Sequence, residues 1–295
     1  MYCYAGIVLY NPEIDRLKEN IDAIKRQVTK IILVDNNSDN INEISQLLLE
    51  YENVSLIRNR DNIGIAAALN QICEKSISED YKWVLLLDQD SICSDTLISS
   101  YKNYTEDTTI ALLTPYIVDI NKMSLEDFFS INLPRYSHVN WAITSGSLIR
   151  LSVWKEIGKF DEDLFIDGVD IDYSIRIRIN GYSQVRVNTE YLLQEVGKAE
   201  PTFIFRPHRD NSGRWTIKRY YRSNHSLMRQ YYMTRNRIII SKKYRLYNSI
   251  IKEIVITACI TIPKLVFEKS KLNLLIKIVQ GIYDGIRFKV EKYKI

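Results

Sequence analysis

The sequence predicts an α/β protein in which helices cover a mostly parallel central sheet. Short apolar runs alternate with segments that carry a helical apolar stripe, in the order β-α-β-α-β-α-β over the first hundred residues. The apolar runs are continuous, which is typical of strands buried on both faces of a parallel sheet. A hydrophobic content of 46% and a charged content of 26% are those of an ordinary folded chain.

The predicted elements follow one another closely along the chain. We expect strands at residues 7–10, 31–34, 54–57 and 83–87, and helices at 14–27, 41–51 and 65–77. The first helix, for example, repeats apolar residues at positions 14, 17, 21 and 24. Further on, we expect a strand at 143–149 that a glycine interrupts, a helix at 173–179 that Asn180-Gly181 closes, and one or two amphipathic helices over 250–289.

Polar residues come directly after three of the predicted strands. These groups are Tyr10-Asn11, Asp35-Asn36-Asn37 and Asp88-Gln89-Asp90. The carboxyl ends of parallel strands meet at one edge of the sheet, and ligands of such sheets bind beyond that edge. The sequence therefore predicts a binding site formed by these three groups.

Asp88 and Asp90 are candidate metal ligands. Residues i and i+2 of extended backbone point the same way, so both carboxylates could reach one cation. Oxygen pairs suit Mg²⁺ or Mn²⁺, which often bring phosphate oxygens with them. The alternative is a polar turn that only ends the strand, because Asp is common in turns.

Three other groups each have two interpretations. Asp35-Asn36-Asn37-Ser38 could hold a nucleoside or could form a plain turn. Gly64, after Asn62-Ile63, could open a helix N-terminus that receives a diphosphate, or could be a packing glycine. In the acidic segment 161–172, one carboxylate could be a general base, or the acids could stabilise the helix dipole, which suits Asp172 best.

Charge divides the chain into two parts. Residues 1–205 contain 19 Lys and Arg against 31 Asp and Glu, whereas residues 206–295 contain 21 against 5. The basic part predicts an anionic partner, and its helices could lie in a membrane interface or pack on their own domain. The four cysteines lie far apart and form no CxxC pair, which argues against a zinc site and a disulfide framework and fits a reducing cytosol. We see neither a signal peptide nor an apolar run that would span a membrane.

Taken together, these motifs resemble family 2 glycosyltransferases, and within them the bacterial rhamnosyltransferase branch. The resemblance covers roughly residues 4–240. It rests on Tyr10-Asn11, Val34-Asp35-Asn36-Asn37-Ser38, Asn62-Ile63-Gly64 with Asn70, Leu87-Asp88-Gln89-Asp90, Ser145-Gly146, Phe165-Ile166-Asp167-Gly168-Val169-Asp170 and Arg229-Gln230-Tyr231-Tyr232-Met233-Thr234-Arg235-Asn236, in that order.

The resemblance implies a GT-A fold, a nucleotide-sugar donor, dTDP-L-rhamnose, and transfer with inversion to a glycan or lipid-linked acceptor of a cell-surface polysaccharide. A catalytic core would span 1–205, with a donor part at about 1–100 and an acceptor part at about 101–205, and a basic helical region would span 206–295. The protein would be cytoplasmic, at the inner face of the bacterial plasma membrane.

The resemblance also implies roles for individual residues. Asp35 would contact the base, Asp88 the ribose or the metal, and Asp90 the Mg²⁺ or Mn²⁺ ion. Asp170 would be the base, with Asp167 as the alternative. The full set of donor contacts would comprise Tyr10, Asn11, Asp35, Asn37, Asn62, Gly64, Asn70, Asp88 and Arg235.

Two positions depart from the family pattern. Val169 replaces the glutamate of the family's Glu-Asp pair, and Gln194 stands where a histidine often precedes a glycine. If that histidine binds metal in the family, this chain uses a different arrangement, or uses His208 or His225. The alternatives to a glycosyltransferase are a metal-dependent nucleotidyltransferase and a nucleic-acid-binding module based on residues 214–245. A nucleotidyltransferase is disfavoured because this sequence has no glycine-rich phosphate loop after its first strand. A nucleic-acid-binding module is disfavoured because the acidic front part of the chain would repel a nucleic acid.

Overall fold

The computed structural model describes residues 3–194, 199–209, 215–223, 225–244, 249–267 and 270–291. The chain forms two compact units, Met1–Glu195 and Val196–Ile295. The first unit contains the central sheet, and the described residues of the second form a two-stranded hairpin and three helices.

The first unit alternates strands and helices as the sequence predicts. Its strands are β1 (Tyr4–Leu9), β2 (Lys30–Asp35), β3 (Val54–Arg58), β4 (Trp83–Asp88), β5 (Ile92–Cys93), β6 (Ile110–Asp119), β7 (Tyr136–His138), β8 (Ser147–Arg150) and β9 (Ser183–Gln194). Its helices are α1 (Ile14–Ile24), α2 (Ile41–Leu48), α3 (Ile65–Ser78), α4 (Leu97–Lys102), α5 (Leu125–Ser130), α6 (Leu151–Glu156) and α7 (Val169–Ile179), with a short 3-10 helix at Glu162–Leu164. The α/β class is confirmed.

Two predicted elements begin four residues away from their predicted start. The strand expected at 143–149 begins only at Ser147, because Gly146 adopts a φ of +76° and the chain turns there, with the Ser147 N–H bonded to the Thr144 carbonyl. The helix expected at 173–179 begins four residues earlier, at Val169, after Gly168 in the left-handed region.

Nine strands of the described chain form one sheet. Its path is β3-β2-β1-β4-β8-β6-β9-β5, and β7 pairs with β9. Strand β1 is parallel to β2 and β4, and β2 is parallel to β3. Strand β8 is antiparallel to both neighbours, β4 and β6. The parallel half therefore keeps its carboxyl ends at one edge, where Asp35 and Asp88 lie.

The packing of the core explains why the strands in this half of the sheet have continuous apolar sequences. Every residue of β1 is buried, because α1 and α3 pack on the sheet. Gly6 permits the close approach of α3, since a Cβ atom there would lie 2.2 Å from Cγ2 of Ile72. The sheet is thus a rigid support for the loops at its carboxyl edge.

The second unit begins with an antiparallel hairpin, β10 (Ala199–Arg209) and β11 (Trp215–Ser223). Three helices follow, α8 (Leu227–Lys243), α9 (Ile250–Phe267) and α10 (Lys271–Arg287), so the amphipathic region forms two helices. Helix α10 lies close to α8 at Gly281, where an added Cβ would be 2.7 Å from the Tyr231 carbonyl oxygen. In the described residues, every helix is too short or too polar to cross a bilayer.

Candidate active site

The strand register brings two of the predicted aspartates to the two sides of β1. Leu9 of β1 pairs with Asp35 of β2, and Val8 pairs with Asp88 of β4. Neighbouring strands lie about 4.8 Å apart. Asp35 and Asp88 therefore end the two strands that flank β1, at the same edge of the sheet, as the sequence analysis predicts.

Asp35 is held inside a rigid loop. Its carboxylate is fully buried and accepts the Ser38 N–H at 3.2 Å on each oxygen, while Nε of Arg58 lies 3.9 Å from Oδ2. Asn11 ties this loop to the end of β1, because its N–H donates to Ser38 Oγ at 2.8 Å and its Oδ1 accepts the Asp39 N–H at 2.7 Å. The two loops therefore form one preorganised surface.

Tyr10 and Asn37 present their side chains at this surface. Both are exposed, and the Tyr10 N–H donates to Oε1 of Gln89 at 2.8 Å, which links the ends of β1 and β4. Asn37 and Asn11 adopt φ values of +66° and +47°. Asn tolerates this left-handed region better than other non-glycine residues, which accounts for asparagines at these turns.

Asp88 is positioned by three residues of the first unit. Its N–H donates to Ser145 Oγ at 2.9 Å, and its carbonyl accepts Nδ2 of Asn20 at 2.5 Å. Its carboxylate oxygen Oδ2 accepts Nε2 of Gln194 at 2.9 Å. Ser145 is itself bonded to Ser91 at 2.8 Å between their Oγ atoms. The carboxylate of Asp88 thus has a fixed orientation.

The sequence analysis did not identify Asn20 as part of this support. Asn20 is buried on α1, beside the apolar positions 17, 21 and 24. A buried amide needs hydrogen-bond partners, and the end of β4 supplies one. A polar residue inside an apolar helical stripe was the available signal.

The donor set at the end of β4 fits a hard cation. Asp88 and Asp90 are both half-buried carboxylates. Mg²⁺ usually takes one or two protein carboxylates and completes its shell with water and substrate phosphates. No cluster of three or more His, Cys, Asp or Glu side chains suited to a metal occurs in the described residues.

The start of α3 differs from the predicted phosphate site. The first N–H of the helix, that of Ile65, donates to the Phe165 carbonyl at 2.7 Å, and the Gly64 N–H donates to Asn62 Oδ1 at 3.0 Å. Gly64 has a φ of +87°, and a Cβ there would lie 2.7 Å from the Phe165 oxygen. The glycine therefore anchors the segment before α7, and these two N–H groups are already used.

The structure also corrects the role of Asn70. Its side chain is buried and bonds Phe160 through both the backbone N–H and the carbonyl, at 2.9 Å each, and Glu162 Oε1 at 2.8 Å. Asn70 therefore holds the 3-10 segment against α3. This supporting role replaces the predicted donor contact.

Asp170, the predicted general base, has a carboxyl group whose pKa is raised. It lies in the first turn of α7 and is half-buried, and desolvation raises the pKa of its carboxyl to about 6. The hydrogen bond from the Ile171 N–H and that from Trp141 oppose this rise in pKa, while the negative charge of Asp167 adds to it. A carboxylate with a pKa near the working pH is suited to proton transfer.

The segment that precedes Asp170 is strained. Phe165 and Asp167 adopt φ values of +44° and +66°, and Gly168 one of +87°. Non-glycine residues in the positive-φ region cost free energy and cluster at functional sites. The surrounding contacts of Phe165 with Gly64 and Ile65 hold this conformation in place.

Asp172 has a structural role. It is fully buried and accepts Nε of Arg176 at 2.9 Å, while Nη1 of Arg176 donates to the Gly158 carbonyl at 2.5 Å. The expected dipole role is therefore only part of its function, because the carboxylate also neutralises a buried guanidinium. Asp172 is not a candidate base.

Arg235 lies in the second unit, on α8. Its Nη1 donates to Asn236 Oδ1 at 3.0 Å, and its guanidinium stacks 4.8 Å from the ring centre of Phe288. His208 is in β10, where its side chain is not described, and His225 precedes α8. Residues 195–197, which complete the Gln194 motif, lie outside the described residues. The donor role of Arg235 and a metal role for either histidine stay predictions.

Comparison with known proteins agrees with this geometry. The model of glycosyl transferase family 2 matches residues 5–158. The chain is 26% identical over 297 residues to the dTDP-rhamnosyl transferase RfbF of Shigella flexneri, and the match covers 96% of this chain and 95% of that protein.

Two solved structures share the fold. GalNAc-T7 with UDP, GalNAc and Mn²⁺ superposes with a TM-score of 0.58 at 13% identity, over 82% of this chain and 48% of that one, so the chain spans about half the length of GalNAc-T7. Residues 1–349 of S. aureus TarS with UDP-GlcNAc superpose with a TM-score of 0.54 at 12% identity, over 97% of this chain and 81% of that one. The fold is of the GT-A type.

Proposed function

The chain belongs to glycosyl transferase family 2, and we propose that it transfers L-rhamnose from dTDP-L-rhamnose, with inversion, to a glycan or lipid-linked acceptor. The product would be part of a cell-surface polysaccharide. The observation that supports this most strongly is the similarity to the Shigella flexneri dTDP-rhamnosyl transferase, which extends over nearly the full length of both chains.

The loops at the carboxyl edge would bind the nucleotide part of the donor. The buried carboxylate of Asp35 is fixed beside the exposed side chains of Tyr10, Asn11 and Asn37, a set that suits hydrogen bonds and stacking with a base. Asp88 ends β4, on the other side of β1 from Asp35, and would take the ribose, the metal or both. The preorganised loops would reduce the entropy lost on binding.

Asp88 and Asp90 would hold Mg²⁺ or Mn²⁺. When bound, the ion supplies positive charge that makes the nucleoside diphosphate a better leaving group. The protein's contribution is to fix the carboxylates, through the bonds of Ser145, Asn20 and Gln194 to Asp88.

Asp170 would take the proton from the acceptor hydroxyl. As that oxygen forms its bond to the anomeric carbon, the bond from this carbon to the diphosphate oxygen breaks and dTDP leaves with the electron pair. Attack from the face opposite the leaving group inverts the anomeric centre. The raised pKa of Asp170 suits this role, and Asp167 is the alternative base.

We further propose that the protein works at the inner face of a bacterial plasma membrane, near lipid-linked acceptors. The support is the charge of the second part of the chain, where residues 206–295 carry 21 Lys and Arg against 5 Asp and Glu. Such a segment is attracted to anionic lipids.

A panel of nucleotide sugars tests the donor assignment. With Mg²⁺ or Mn²⁺ present, dTDP-L-rhamnose should give the largest rise in melting temperature and the fastest donor hydrolysis, ahead of UDP-GlcNAc and UDP-GalNAc. Asp90→Asn should lose both signals. Asp80→Asn is a matched control, because exposed Asp80 lies before the opposite end of β4. A clear preference for a UDP-sugar would refute the assignment.

A further inference from the structure

Helix α9 has its polar face inside and its apolar face outside. Glu253, Thr257 and Thr261 recur every four residues and are all buried. Four large apolar side chains on the other side are between 52% and 74% exposed: Ile251, Val255, Ile262 and Val266. At 3.6 residues per turn these four positions form one stripe, which we call the outer stripe of α9.

Polar contacts with α8 fix the orientation of α9. Nζ of Lys264 donates to Oε1 of Gln230 at 2.6 Å, and Nε of Arg237 lies 3.6 Å from Oε2 of Glu253. Rotating the helix to bury the outer stripe would break these contacts and expose an ion pair that is now partly buried. The exposure of the stripe is therefore a consequence of how the second unit is built.

Helix α10 also exposes an apolar stripe, although its buried face is apolar, with Leu274 and Ile278 buried. Gly281 and Gly285 face α8, and the opposite side carries an exposed apolar stripe of Leu272, Ile276, Val279, Tyr283 and Ile286. Apolar patches of this kind on a water-soluble surface mark contacts with a membrane or with another protein. Because two consecutive helices both expose an apolar stripe, chance is a poor explanation for the exposed apolar side chains.

Charge selects between these two occupants. The segment from residue 206 onward is strongly basic, and Lys252, Lys271 and Arg287 are exposed on the two helices themselves. A second copy of the chain would bring two such basic segments together, which like charges oppose. An anionic bilayer attracts the same charges and accepts apolar side chains at its surface.

We propose that the outer stripe of α9, together with that of α10, docks on an anionic lipid bilayer, with the helices lying in the interface. This inference names the surface behind the membrane location proposed above and rests on that location. It does not depend on which sugar is transferred.

A native cysteine allows a direct test. All four cysteines lie in described ranges, and Cys259 of α9 is exposed whereas Cys3, Cys73 and Cys93 are buried. An environment-sensitive thiol dye on Cys259 should shift its emission to the blue when vesicles containing phosphatidylglycerol are added, and should not shift with pure phosphatidylcholine. The same dye in the variant Cys259→Ser/Leu49→Cys is the control, because Leu49 is 78% exposed on the first unit. That dye should not shift.

Flotation with the same vesicles provides a second measurement. The variant Ile251→Ser/Val255→Ser/Ile262→Ser should bind more than about tenfold more weakly, since it removes three apolar side chains from the contact. Leu49→Ser, a matched change outside the stripe, should bind as the wild type does. Donor hydrolysis without vesicles should stay unchanged in both variants.

Several outcomes would overturn the proposal. One is a Cys259 dye that does not respond to anionic vesicles, and another is a triple variant that floats like the wild type. A third is a dimer that the triple variant dissociates, with no vesicle binding, which would assign the stripe to a second copy. Vesicle binding without activity on dTDP-L-rhamnose would refute only the donor assignment, so the two proposals fail separately.

Discussion

The side-chain amide of Gln194 donates a hydrogen bond from Nε2 to Oδ2 of Asp88 at 2.9 Å. Gln194 ends β9 and Asp88 ends β4, two strands that are not neighbours in the sheet. The amide orients the carboxylate without adding charge. Gln194, which stands in place of the family histidine, thus supports Asp88, the candidate metal ligand.

Gln194→Ala should therefore weaken metal binding. Without the amide, the Asp88 carboxylate gains rotational freedom, and loss of such a supporting bond typically costs about tenfold or more in metal affinity. Electron paramagnetic resonance of Mn²⁺ titrated into the protein with dTDP measures this affinity directly. Gln46→Ala, on the exposed face of α2, serves as the control. Equal Mn²⁺ affinity in the wild type and both variants would show that Gln194 does not support metal binding.

Asp170→Asn should abolish transfer and raise stability at the same time. The pKa of Asp170 is about 6 in the folded protein, above its usual value of 3.8, so ionisation of this carboxyl opposes folding. The cost appears between pH 4 and 6 and is fully present above pH 6. The variant should gain roughly 1–3 kcal/mol in free energy of unfolding at pH 8, and the gain should vanish near pH 3.5. Guanidinium titrations at both pH values check this, and a variant less stable than wild type at pH 8 would contradict it.

Asp167→Asn separates the two candidate bases. The negative charge of Asp167 helps to raise the pKa of Asp170, so its removal should lower that pKa. With Asp170 as the base, kcat/KM falls about tenfold per pH unit below its pKa, and this acid limb should move to lower pH in the variant. Activity at pH 8 should persist. Complete loss of activity there would instead favour Asp167 as the base.

Arg176→Met should destabilise the first unit strongly. It would leave the fully buried carboxylate of Asp172 without its cation, a change that typically costs about 3–5 kcal/mol. The double variant Asp172→Leu/Arg176→Met removes both charges and should recover much of that loss. Arg178→Met, two residues along the same helix and partly exposed, should cost under about 1 kcal/mol. Chemical denaturation at pH 7.5 compares the four proteins, and equal losses for Arg176→Met and Arg178→Met would contradict the expected result.

The parallel half of the sheet could be predicted from the sequence because its signals are local. A run such as Trp83–Leu87 followed by Asp88 identifies both a buried strand and the edge where it ends. The seven elements expected in the first hundred residues are all present, each with bounds within three residues. The position of Asp35 and Asp88 at one edge of the sheet could therefore be predicted from the topology alone.

The supporting residues could not be predicted because their partners are distant in sequence. Asn20 and Gln194 meet Asp88 across 68 and 106 residues, and Asn70 meets Phe160 across 90. A motif predicts which residue types are present, but it does not show which of them face a ligand and which hold the backbone. Asn70 belonged to the motif pattern and nevertheless has a packing role.

Binding of dTDP-L-rhamnose measured by isothermal titration calorimetry with Mg²⁺ tests the central claim most directly. We expect the wild type and Asp80→Asn to bind with the same affinity, and Asp90→Asn to bind at least about tenfold more weakly, because one carboxylate of the proposed cation site is lost. Unchanged binding by Asp90→Asn, or tighter binding of UDP-GlcNAc than of dTDP-L-rhamnose by the wild type, would contradict the proposed donor site.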